Sequence, residues 1–265
     1  MSSVRNLFLL LFFSCLSLTS CSGRGRLILQ QPNNLIQLSS TAKSAILAKL
    51  KTDKLPNTIR AMLDTDIKSG AGRDSFLQAL TFKQPSFFRL EAFATGVNAL
   101  VFIATSEGNQ FKAIIPGDKK VLIGTPSPKS LASLIQLPLT PLEMVALISG
   151  KIFPEFLDTK NQTLAKTTDG SIFFTAVSSN KRELRVRFDN DSNLRILELS
   201  LSDDGSGALK AKCSYQVGEL KLLNVSLPEL EAKVEIKELK RNVEISSDSI
   251  FTVAQPESYL VERID

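Results

Sequence analysis

Ser40-Thr41-Ala42-Lys43 places a hydroxyl and an amine three residues apart at a helix start. In this S-x-x-K spacing a lysine can help to activate a serine for acyl transfer. Ser178-Ser179-Asn180 imitates the second element of such machinery, but the third, K-T-G, is missing. Its nearest approach, Lys166-Thr167-Thr168, lies before the second element instead of after it. The spacing therefore reads as a capped surface helix. Asp189-Asn190-Asp191-Ser192-Asn193 imitates the start of a calcium loop, yet Leu194 stands where Gly is needed and Ser200 where Glu is needed. It reads as a polar turn, as do Asp203 and Asp204 beside Gly205. The chain has 0 His, which removes the commonest general base and metal ligand together. Beyond the first 21 residues the only cysteine is Cys213, too few for an internal disulfide or a thiolate zinc site. It sits on the apolar side of an alternating segment and reads as a small buried hydrophobe. The residues thus point away from an enzyme: no catalytic residue, no metal site and no cofactor is expected.

The remaining chemistry is at Cys21. Met1 to Asn6 carries Arg5, and Leu7 to Leu18 is an almost unbroken apolar run, shorter than the roughly 20 residues of a membrane-spanning helix. These are the basic and apolar regions of a secretory signal, with Cys15 inside the apolar run. The run ends in Leu18-Thr19-Ser20-Cys21, which resembles the bacterial lipobox. That resemblance implies cleavage after Ser20, a thioether diacylglycerol on Cys21 and acylation, such as palmitate, of the new amino terminus. One acyl chain holds a protein marginally, so three on one residue make a stable anchor. Ser22 takes the place of the Asp that marks inner-membrane retention in proteobacterial lipoproteins, which favours the periplasmic face of the outer membrane.

These features must be positioned by a chain of 265 residues that is 43% hydrophobic, enough for a substantial core. Its net charge of +5 is spread among interspersed acidic and basic residues, without the basic stripe that nucleic-acid binding requires. Residues 1–20 read as the signal peptide, 21–38 as a lipidated tether with Arg24 and Arg26 near the head groups, and 39–265 as one domain. Ser39 or Ser40 caps a helix to about Lys51, with Ile46, Leu47 and Leu50 as its apolar stripe.

From Thr58 the period becomes two. Ile59, Ala61, Leu63 and Ile67 share one face, then Phe76, Leu80 and Phe82, then Phe88, Leu90 and Ala92. Residues 99–105 are apolar on both faces, and 110–115 and 119–124 form a hairpin around Pro116-Gly117-Asp118. The middle changes period. Pro126 and Pro128 precede one short helix, and Thr140, Pro141 and Gly150 cap, open and end a second, with Leu142, Val145, Ala146 and Ile148 inward. Strands resume at 171–177, 181–188, 194–201, 208–217 and 231–239, with a last one at 243–245. The whole reads as mainly β, about eleven antiparallel strands with a few short lid helices.

In their order, three stretches resemble the Lol lipoprotein-carrier superfamily of LolA and LolB, most closely LolB-like outer-membrane lipoproteins. They are FFRLEAFATGVNALVFIATSEGNQFKAIIPGDKKVLIG, SLASLIQLPLTPLEMVALISG, and LPELEAKVEIKEL followed by VEISSDSIFTVAQP. Together they span most of residues 58–256. The resemblance implies a half-open antiparallel barrel whose apolar interior receives acyl chains of lipoproteins or other lipids, under helices that plug its mouth. A long acyl chain represents roughly 10 kcal/mol of burial, which such walls must supply. Candidate cavity residues are Leu63, Phe76, Leu80, Phe82, Phe88, Leu90, Phe102, Leu142 and Val145. The implied partners are the membrane, a lipid or lipoprotein cargo and a periplasmic carrier protein, with the chain a monomer. A membrane-facing loop of the receptor branch, Pro, a large apolar residue and Gly, is matched here by Ala94-Thr95-Gly96-Val97, which lacks the Pro and leaves Phe93 and Val97 as its apolar candidates. The alternative is a structural or interaction lipoprotein whose half-barrel is packed solid.

Overall fold

Alternation of apolar and polar residues over twelve positions makes Thr58–Ser69 and Gly72–Lys83 long paired strands, β2 and β3. Every second side chain of β2 from Ile59 to Ile67 is buried, which fixes the register, because a one-residue slip would turn that stripe to water. The protein is described here from a computed structural model, which covers residues 32, 34–70, 72–190, 193–203, 209–215, 222–227 and 230–264. The lipobox, Cys21 and the signal peptide lie outside the described residues.

The remaining elements follow in chain order: β1 (Leu35–Gln37), α1 (Ser40–Thr52), β4 (Phe87–Ala94), β5 (Leu100–Glu107), β6 (Gln110–Ile115), β7 (Lys120–Gly124), α2 (Pro128–Ile135), α3 (Pro141–Ser149), α4 (Pro154–Leu157), β8 (Asn161–Thr167), β9 (Ile172–Val177), β10 (Arg182–Phe188), β11 (Ile196–Asp203), β12 (Leu209–Tyr215), β13 (Leu222–Leu227), β14 (Leu230–Arg241) and β15 (Leu260–Arg263). All fifteen strands form one sheet. β2 to β7 and β8 to β14 are two antiparallel meanders joined where β14 pairs with β2. The sheet stays open: β1 on β8 forms one edge, and β15, parallel to β7, forms the other.

The described residues form fifteen strands in place of the expected eleven or so. β1, β8 and β15 carry too few alternating apolar residues to announce themselves. β8, for example, buries only Leu164 and Thr167. β13 does alternate, with Leu223 and Val225 buried, and escaped the sequence reading. The strand expected at 243–245 is absent, since that segment has no ladder and lends the Val243 carbonyl to the Thr58 hydroxyl, 2.6 Å away. β1 also falls inside the stretch read as tether.

One face of the sheet packs against the helices in a single core that reaches from Leu164 through Ile236 and Leu63 to Leu122. Helix α3 obeys its sequence. The Thr140 hydroxyl accepts from Glu143 N–H at 3.2 Å, and Glu143 Oε2 accepts from Thr140 N–H at 2.7 Å. Gly150 ends the helix at φ 64°, in the left-handed region that costs glycine nothing. Among the described residues the opposite face is covered over β4–β7. There a 3-10 turn, Asp248–Phe251, lays Phe251 against Phe87, with ring centres 5.3 Å apart. The segment after it adds Val253 and Tyr259 to Ile103, Ile114 and Val121. This second cover explains why residues 99–105 are apolar on both faces.

Candidate functional site

The inner face of the sheet is the candidate site, because it gathers one continuous apolar surface beneath the helices. β2 and β3 supply Leu63, Ile67, Leu80 and Phe82, while β13 and β14 supply Leu223, Val225 and Val234. The wall opposite is α3, nearly all of it buried, and the 136–140 linker that leads into it from α2. Two groups on the second meander hold this lid. The buried Tyr215 hydroxyl donates to the Leu147 carbonyl at 3.1 Å. The Arg182 guanidinium meets Glu143 of α3 and, at 3.1 Å, Glu155 of α4.

Where lid and sheet meet, between β2, β3, β13, β14 and α3, they leave a cleft of about 30 Å³, the volume share of about one water molecule. Among the described residues the space between helices and sheet is therefore nearly filled. A larger groove, about 670 Å³, lies outside it among the end of α1, Gln84, Pro85, Leu142 and α4, with an apolar floor from Leu55 and Ile152 and a rim of lysine–aspartate pairs, Lys51–Asp158 and Lys151–Asp53.

The expected cavity residues divide accordingly. Leu63 lines the cleft. Leu80, Phe82, Phe88, Leu90, Phe102 and Val145 are fully or almost fully buried in the inner core but do not line it. Phe76 is only partly buried against that core, and Leu142 belongs to the outer groove. Phe93 and Val97 stand at the β4–β5 hairpin. Phe93 is half-buried beside a register shift, and Val97 is 74% exposed next to Gly96 at φ 92°.

Two cleft residues escaped the sequence reading, Thr65 and Gln78. Both interrupt an apolar stripe at an inward position, between Leu63 and Ile67 on β2 and between Phe76 and Leu80 on β3. That interruption was the available signal. Thr65 Oγ1 donates to Gln78 Oε1 at 3.2 Å, and the two side chains are 4% and 2% exposed.

The residues weighed for catalysis in the sequence make the following contacts. Lys43 Nζ reaches the Gln37 carboxamide, 3.3 Å away, and Ser178 closes the β9–β10 turn by accepting from Arg182 N–H. Asp189 binds both the backbone N–H and, at 2.9 Å, the guanidinium of Arg195, and Leu194 takes a left-handed φ of 52°. Cys213 is buried, and desolvation pushes its thiol up to about 12, which leaves it in the unreactive form.

No protein-family model matches the chain, and no curated protein matches it. Solved structures do resemble it. A domain named for outer membrane lipoprotein sorting, from Vibrio parahaemolyticus, superposes with a TM-score of 0.54 at 10% identity, over 77% of this chain and 94% of that one. A DUF1329 family protein from Desulfovibrio piger gives 0.58 at 13% identity, over 80% and 96%. A LolA superfamily protein from Nitrosomonas europaea gives 0.52 at 12% identity, over 79% and 97%. At these identities the likeness is one of fold: an open β-sheet of the LolA kind, here with fifteen strands.

Proposed function

We propose that this chain is a lipid-anchored lipoprotein of the outer membrane that takes acyl chains of lipoproteins or other lipids onto its inner sheet face and helps deliver them to the membrane. The observation that carries this reading is the pairing of one continuous apolar sheet face with a lid of short helices. Fold likeness to a protein named for lipoprotein sorting and to a LolA superfamily member agrees with it. Because the cleft holds only about 30 Å³, acyl binding requires α3 and the 136–140 linker to move, with the chain replacing them against Leu63, Val225 and Val234. Each methylene so buried contributes about 0.8 kcal/mol. On this reading Cys21 carries the anchor, a periplasmic carrier hands over the cargo, the protein works as a monomer and it catalyses no reaction. Phe93 and Val97 are its candidates for touching the bilayer.

The test is native mass spectrometry on the Cys21→Ala chain with an added acylated peptide. A one-to-one adduct, accompanied by faster hydrogen exchange in α3, is the expected result. No adduct with any acyl ligand, together with no acceptance of a lipoprotein from a carrier, rejects the reading.

A second reading is favoured by the filled interior itself. The sheet would then be a solid scaffold that binds an envelope partner along its edges, where Ile36 of β1 and Leu260 and Val261 of β15 are exposed. Unchanged exchange in α3 with every lipid tried is its signature.

A further inference from the structure

We propose that Gln78, oriented by Thr65, recognises the carbonyl of an ester- or amide-linked acyl chain in the cleft beneath α3. The inference rests on the acyl-binding reading above and specifies the ligand. Thirteen residues line the cleft, and Thr65 and Gln78 are its two polar side chains. The other eleven, from β2, β13, β14, α2, α3 and the linker between these helices, are aliphatic or methionine.

A buried primary amide has two donors on nitrogen and an acceptor oxygen. Thr65 Oγ1 occupies the oxygen of Gln78, and this fixes the plane of the amide. The nitrogen makes no hydrogen bond to any described residue, although the side chain is 2% exposed and lies against the cleft. The nitrogen is not one of the fully buried atoms left without a partner, so it opens onto the cleft, where a water or an acceptor brought by a ligand completes its bonding.

The character of that acceptor follows from its surroundings. No Lys or Arg lines the cleft, so a carboxylate would enter without a counter-ion, at a large desolvation cost. A neutral carbonyl fits, and the aliphatic walls accept the methylenes on its far side. The size agrees, since about 30 Å³ suits one small polar group, and Met144 on the lid wall is a flexible residue able to yield around what is attached to it. Ester-linked and amide-linked chains share this chemistry, so a phospholipid and an acylated peptide are both possible sources.

The experiment uses the full-length Cys21→Ala chain and displacement of the fluorescent probe N-phenyl-1-naphthylamine. Two matched ligand pairs differ only in the carbonyl. One is 1-palmitoyl against 1-O-hexadecyl lysophosphatidylcholine. The other is an O-palmitoylseryl peptide against its O-hexadecylseryl counterpart. The expected result is a roughly five- to tenfold preference for the carbonyl member, the range of one hydrogen bond to a desolvated donor. The pair that binds more tightly names the source. In Gln78→Met the preference falls to within twofold while the ether lipid binds as before, and Thr65→Val reduces it part of the way. Equal binding of both members by the unsubstituted chain overturns the inference whether or not the variants fold, and so does a preference that survives in Gln78→Met. Failure to bind any of the four ligands is a different result, which removes the acyl-binding reading and this inference with it.

Discussion

Arg182 and Glu143 form an ion pair, half-buried at the arginine and buried at the carboxylate, 17% and 6% exposed, between the start of β10 and helix α3. Glu143 Oε2 is already committed to capping its own helix, and Oε1 has no other partner among the described residues. One guanidinium therefore satisfies the remaining carboxylate oxygen of that cap and also reaches Glu155 on α4.

Removing the cation strands a buried carboxylate. Arg182→Ala is expected to cost roughly 3 kcal/mol in urea denaturation, the range for breaking a buried pair from one side. Glu143→Gln in the same chain should return part of the loss, because the charge goes while the cap geometry stays. If acyl chains do enter beneath α3, Arg182→Ala also speeds uptake of a fluorescent fatty-acid probe.

Acid should act on two carboxylates in opposite directions. The Thr167 hydroxyl, followed by the Ser171 N–H at 3.0 Å, lowers Asp169 to about 2. Its stabilising contribution is therefore complete above the ordinary value of 3.8 and fades as the pH falls from there towards 2. Burial raises Glu155, against the pull of Arg182. The folded state then binds that proton more tightly than the unfolded one, and stability is lost as the pH rises through the folded value. Thermal melts should show an Asp169→Asn deficit at pH 6 that closes by about pH 2, and a Glu155→Gln chain at least as stable as its parent at pH 7.

Phe251 anchors the outer cover at 1% exposure, assisted by Arg89 Nη1 donating to the Ile250 carbonyl at 2.6 Å and by the Lys83–Asp248 pair. Phe251→Ala should cost about 3 kcal/mol and make residues 252–259 the first site of limited proteolysis.

Cys213 should be silent to thiol reagents while the chain is folded. In a chain with Cys15 and Cys21 replaced by Ala, dithionitrobenzoate is expected to read no reactive thiol in buffer and one per chain in concentrated urea. Prompt labelling in buffer would contradict its burial on the inner face of β12.

The sequence was most readable where local rules and tertiary burial agree. Thr140, Glu143 and Gly150 announce α3 with both its ends, and the stripes on β2 to β4 announce the inner face. It was least readable where an element is created by its neighbours. β15 has no buried residue of its own and exists because β7 offers an edge, and β1 needs β8 in the same way. The lid's fastening was hidden for a similar reason. Arg182 lies 39 residues beyond Glu143 in an ordinary charged strand, and nothing local marks it as a buried partner. Thr65 and Gln78 differ from these, since each is a visible gap in a stripe whose meaning depends on the strand beside it.

The short edge strand β1 has a mechanical meaning. A pull on the chain at residue 34 is borne first by three paired residues, Leu35 to Gln37 on β8. Parting them releases about 10 Å of extended chain before any load reaches α1, and the remaining fourteen strands keep their register. The N-terminal edge thus behaves as slack held by a weak clasp, which lets the folded body stand further from whatever holds its leading end without loosening the core.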